Sequence, residues 1–146
     1  MNDLPTKSYV KIILYTQAII FTLIINYFIF ISDLTRSLFL VVAFLGLLFL
    51  ILGIVLIFLA RKVIPSNKVS RRLKLFLTLT GISTIAPLVF TLLHNFFYAM
   101  AILSENITFL SQFFEILHAI SFIISLLVAP LTFLVCMILS LIYLNK

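Results

Sequence analysis

Residues 38–60 read LFLVVAFLGLLFLILGIVLIFLA, without one charged side chain. A helix rises about 1.5 Å per residue, so roughly 18 or more apolar residues cross the ~30 Å hydrocarbon core of a bilayer. A helix on a water-soluble surface needs a polar face, and this stretch has none. Three further runs of the same kind lie at about 12–32, 75–103 and 116–143. The whole chain is 64% hydrophobic and 10% charged, against about 25% charged in a soluble domain. That leaves too few polar side chains to cover a surface in water. Backbone groups in lipid must be hydrogen-bonded within their own segment, so each run reads as a helix. The alternating ten-residue strands of a β-barrel are absent. The expected fold is all-α: an integral membrane four-helix bundle forming one transmembrane domain over 1–146. Its two hairpins would be 1–60 and 68–146.

Lys7 and Lys11 would suit the basic start of a signal peptide. The apolar run after them is too long, and no small-x-small cleavage site follows. The first run is expected to be retained. The single cysteine, Cys136, excludes an internal disulfide and CxxC redox chemistry. It reads as a small core residue of the fourth run.

The connections set an expected orientation. The loop 61–74, RKVIPSNKVSRRLK, holds Arg61, Lys62, Lys68, Arg71, Arg72 and Lys74. The 33–37 connection has Asp33 and Arg36, and 104–115 has Glu105 and Glu115 without a base. Basic residues favour the cytoplasmic side, so both termini are expected there. Tyr9, Tyr15 and Tyr143 would then mark the inner interface, and Tyr27 and Tyr98 the outer one. The six bases are also candidates for anionic-lipid contact, since each attracts an anionic leaflet by about 1 kcal/mol. Their simpler role is to set topology. Pro65-Ser66-Asn67 reads as the turn between the hairpins.

The first two spans are plain. Gln17 and Asn26 are the amides of span one and are expected to serve helix packing. Gly46 and Gly53, seven apart in span two, would let a neighbouring helix come close. No span carries a central acid of the kind that small four-helix multidrug transporters depend on. Span three differs. Thr80, Thr84, Pro87, Thr91, His94 and Tyr98 are spaced 4, 3, 4, 3 and 4 apart, one seam of a helix. Gly81 and Asn95 flank it. Polar side chains in a membrane helix face the bundle or a water-filled cavity, so the seam is expected to point inward. Pro87 and Pro130 each remove a ladder hydrogen bond. They free the carbonyls of Ser83 and Leu126, near the hydroxyls of Ser83, Thr84 and Ser125. Two kinked helices could frame a cavity.

His94 lies nineteen residues beyond Leu75, roughly 28 Å at the helical rise, and so close to the far edge of the bilayer. Span four starts on that side with Glu115 and His118, three apart on one helix face. His94, Asn95, Tyr98, Glu105, Glu115 and His118 are therefore expected to gather at one end of the second hairpin. Such a group could bind zinc or iron or carry a proton. The plainer reading is hydrogen bonding between helices, with no metal, no cofactor and no catalysis. Asn106-Ile107-Thr108 matches a glycosylation sequon, too near the membrane to serve as a good acceptor.

The stretch 73–99, LKLFLTLTGISTIAPLVFTLLHNFFYA, resembles the signature region of small, uncharacterised four-span membrane proteins of bacteria and archaea. These share L-T-G near the start of a span and L-H-N-x-x-Y near its end. The matching residues are Leu79, Thr80, Gly81, Leu93, His94, Asn95 and Tyr98. The resemblance covers under a fifth of the chain and implies a prokaryotic cell membrane without implying an activity.

Three functions are compatible with these features. One is a non-catalytic accessory or assembly protein, whose partners are the lipid bilayer, other membrane proteins or further copies of itself. The second is a small transporter or channel subunit using the seam of span three. The third is a metal-binding or enzymatic site at the outer cluster. Nucleotide loops, serine triads and zinc-knuckle spacings are absent. Nucleic acid is not an expected partner, because the +6 charge sits mostly in one short loop.

Overall fold

The computed structural model describes residues 4–30, 38–63 and 67–146. Asp33, Arg36, Pro65 and Ser66 lie outside the described residues. The elements are α1 (Leu4–Ile29), α2 (Phe39–Lys62), α3 (Lys68–Leu103), α4 (Thr108–Ile123), a π-helical segment (Ile124–Val128) and α5 (Ala129–Leu144). The last three follow one another without a break. Among the described residues, four helical stretches are long and apolar enough to cross a membrane: Lys7–Ile29, Phe39–Lys62, Lys68–Leu103 and Thr108–Leu144. No strand occurs among these residues. The chain is the expected all-α four-helix bundle.

Three helices begin earlier than the hydropathy suggests, α1 at Leu4 instead of near residue 12. A capping box starts α3 at Lys68: Asn67 Oδ1 accepts from Ser70 N at 2.8 Å, and Ser70 Oγ accepts from Asn67 N at 3.1 Å. These bonds satisfy two backbone donors that a helix start would otherwise leave open. At the other end, residues 108–115 are helical rather than loop. Ile107 N–H donates to Ser104 O at 2.9 Å, tightening the reversal, and Ser111 Oγ donates to Ala101 O at 3.1 Å across it. The polar side chains that lowered the hydropathy here are those that bind the turn. Glu115 therefore stands in the second turn of α4, not at a helix start.

α3 is the axis of the bundle, packed on α2, α4 and α5, while α1 rests on α2 and touches α5. Phe21, Phe49 and Phe133 close the core between α1, α2 and α5, with Phe133 centred 4.9 Å from each of the other two rings. Towards the basic end, Leu14, Leu56 and Leu77 are fully buried. α2 and α3 meet backbone to backbone at Gly53 and Gly81. A Cβ on Gly81 would stand 2.6 Å from Gly53 O, which only glycine at that position avoids. Gly46 does not share this role: a Cβ there would meet nothing within 4 Å. The expected close approach is made by one glycine of span two, with Gly81 as its counterpart.

α2 has 24 residues and α3 has 36, so α3 is longer by about 18 Å at the helical rise. The buried residues of α3 run from Ser70 to Thr84, and beyond that only Ala101 is buried. Past the first hairpin, α3 and α4 continue as a pair.

Candidate functional site

The polar seam of α3 is engaged with neighbouring helices along its length. Thr80 Oγ1 donates to Phe76 O at 2.8 Å and lies 3.4 Å from Ser140 Oγ of α5, both residues being fully buried. Thr84 is buried against Gly53 of α2. Thr91 Oγ1 lies 2.9 Å from Ser125 Oγ in the π segment. His94 meets His118 of α4 edge to face, with ring centroids 4.0 Å apart, and its Nδ1 lies 3.3 Å from His118 O. Tyr98 meets the same His118 ring at 5.2 Å.

Pro87 and Pro130 are handled differently from expectation. Ser83 Oγ donates to Thr80 O and Thr84 Oγ1 to Gly81 O, at 2.7 and 2.8 Å. Each hydroxyl bonds back into its own preceding turn and not to the carbonyl that Pro87 frees. A hydroxyl from the facing helix bonds one turn further on: Ser125 Oγ donates not to the freed Ser83 carbonyl but to the carbonyl of Pro87 itself, at 3.1 Å. Since the Ser125 proton goes to that carbonyl, Thr91 is the donor in the Thr91–Ser125 pair. On the other helix, the π segment lies just before Pro130. There Ala129 N–H reaches Ile124 O, five residues back. Wider turns of this kind let the ladder step past a residue without an N–H. The two irregular segments are tied to each other through Ser125.

A cavity lies at the acidic end of the α3–α4 pair. It holds about 440 Å³ and is lined by Tyr98, Ala101, Ile102, Glu105, Ser111, Glu115, His118 and Ala119. Four of the six residues expected to gather there do so: Tyr98, Glu105, Glu115 and His118. His94 stands behind His118, one ring further in, and also packs on Phe122 at 5.3 Å. Asn95 is exposed and does not line the cavity. A helical step of 100° carries it off the seam that His94 occupies. Among the described residues, no three His, Cys, Asp or Glu side chains come together so as to hold a metal ion.

No protein-family model, curated protein or solved structure matches the chain.

At the basic end, Arg72 is held to the last turn of α5. Its Nη1 donates to Tyr143 Oη at 2.7 Å, and Lys146 Nζ lies 5.0 Å from the centre of the same ring. Arg61 lies over the ring of Phe58 at 5.6 Å. Lys62, Lys68 and Arg71 are exposed and Lys74 is half-buried. Arg72 thus has a structural bond that the reading of all six bases as lipid contacts did not include.

Gln17, read from the sequence as a packing residue, is packed in the core, but without polar partners. It is fully buried, and neither its Oε1 nor its Nε2 has a hydrogen-bond partner. Val10, Leu14, Gln17 and Phe21 recur at helical spacing on the face of α1 that enters the core. That periodicity could have placed Gln17 inward. Asn26, the other amide, is exposed and bonds its own helix through Nδ2 to Thr22 O at 2.8 Å.

Proposed function

We propose that this chain is a small multi-pass protein of a prokaryotic cell membrane, with both termini cytoplasmic. Its role is non-catalytic: it is an accessory or assembly protein that acts through helix packing. The observation that carries this reading is the use of the α3 seam. Thr80, Thr84, Thr91, His94 and Tyr98 each meet a neighbouring helix, on Ser140, Gly53, Ser125 and His118. A transport path needs a continuous line of polar groups facing water, and Thr80 and Thr84 are buried in protein. The basic end, with Arg61, Lys62, Lys68 and Arg71, supports its assignment to the cytoplasmic side.

Blue-native electrophoresis of membranes solubilised in a mild detergent tests the role. The expected result is migration of the chain in an assembly well above its own 16.7 kDa. A lone monodisperse chain, together with solute flux in liposomes that His94→Ala abolishes at unchanged expression, would overturn it in favour of a transporter.

A further inference from the structure

We infer that the cavity between α3 and α4 binds an ammonium group carried on an apolar body, of the kind found in an aminophospholipid head group or an amphiphilic amine. This rests on the reading of the chain as membrane-spanning, though not on its having a protein partner. Two carboxylates, Glu105 in the turn after α3 and Glu115 on α4, stand on the lining, and no lysine or arginine lines it. The rings of Tyr98 and His118 meet edge to face there. A ring face attracts an ammonium through its quadrupole, and a carboxylate strengthens a hydrogen bond from it. Ala101, Ser111 and Ala119 are small and leave the room, and Ile102 supplies an apolar wall. The volume of about 440 Å³ is within the range of small-ligand sites.

Depth points to the same ligand. Leu75 to Leu103 is about 43 Å of helix, and fitting it within ~30 Å of hydrocarbon would need a tilt near 45°. Membrane helices usually tilt by no more than about 40°. With Leu75 at the inner edge, Tyr98 stands roughly 35 Å away, and the head groups extend a bilayer to about 40–45 Å in all. The cavity therefore opens at the level of the outer head groups.

Native mass spectrometry of the delipidated full chain in detergent tests this, with phosphatidylethanolamine, phosphatidylglycerol and dodecylamine as probes. Phosphatidylethanolamine should be retained about tenfold over phosphatidylglycerol, the worth of one charge-assisted contact. The double variant Glu105→Gln/Glu115→Gln should remove that preference, and Ala119→Phe should remove binding by filling the cavity. On the unaltered protein, dodecylamine should displace phosphatidylethanolamine and dodecanoate should not, a readout that needs no variant to fold. If dodecylamine binds with these dependences and phosphatidylethanolamine does not, the ammonium site stands and its ligand is a free amphiphilic amine. Equal retention of both lipids with no effect of dodecylamine would overturn the inference, whatever the blue-native result.

Discussion

Ser125 donates its hydroxyl proton to the carbonyl oxygen of Pro87, 3.1 Å away on the facing helix. The bond joins the two places where proline disturbs the ladder: the turn of α3 that contains Pro87 and the π segment that precedes Pro130. Removing it should loosen both. Ser125→Ala should destabilise the protein by about 0.6–2 kcal/mol, the usual worth of a polar bond between membrane helices. Thr91→Val should cost less, because the Ser125–Pro87 bond survives it. Unfolding in mixed micelles titrated with SDS measures both, and an equal cost would show that Ser125 works only through Thr91.

The contact of Gly53 with Gly81 admits no side chain. Gly81→Ala would place a methyl group 2.6 Å from Gly53 O, and backbone cannot swing aside as a flexible side chain can. The expected cost is about 1–3 kcal/mol, as for overpacked cores. Gly46→Ala meets nothing within 4 Å. It should stabilise by up to about 1 kcal/mol through helix propensity. Opposite signs for the two glycine substitutions, read in the same unfolding assay, are the expected result.

Gln17 buries two polar atoms without a partner. Such a group costs about 1–3 kcal/mol relative to a satisfied one. Gln17→Leu, of similar length, should therefore stabilise the isolated bundle by an amount of that order. Loss of stability in the same measurement would mean that the amide is bonded in the membrane.

Cys136 is buried against the bundle at 6% exposure. A bulky water-soluble maleimide should leave it unlabelled in the folded protein and label it after SDS denaturation. Fast labelling of the native state, followed as a gel shift, would contradict the packing of α5.

The far end of the second hairpin was partly legible in advance. Helical spacing puts Tyr98 on the seam of α3 and sets Glu115 and His118 three apart on α4, and antiparallel topology brings the helices level. Rotation about each axis was not legible. It stacks His94 behind His118 and away from the cavity, and it turns Asn95 outward, although the two residues are neighbours in the chain. The extra helix over 108–115 was also hidden, because Ser111 finds its acceptor, Ala101 O, only after the chain has reversed.

The amino-acid sequence alone determined that this chain forms four apolar helices, with a basic and an acidic end and one polar seam. Those properties depend on composition and on a period of 3.6 residues, which are local. The tertiary structure decided what each polar group meets: Thr84 the backbone face of Gly53, Ser125 the carbonyl of Pro87, and Gln17 nothing polar. Hydrogen bonds act over about 3 Å and depend on direction. Their pairing is set by the rotation and register of packed helices, which no single segment contains.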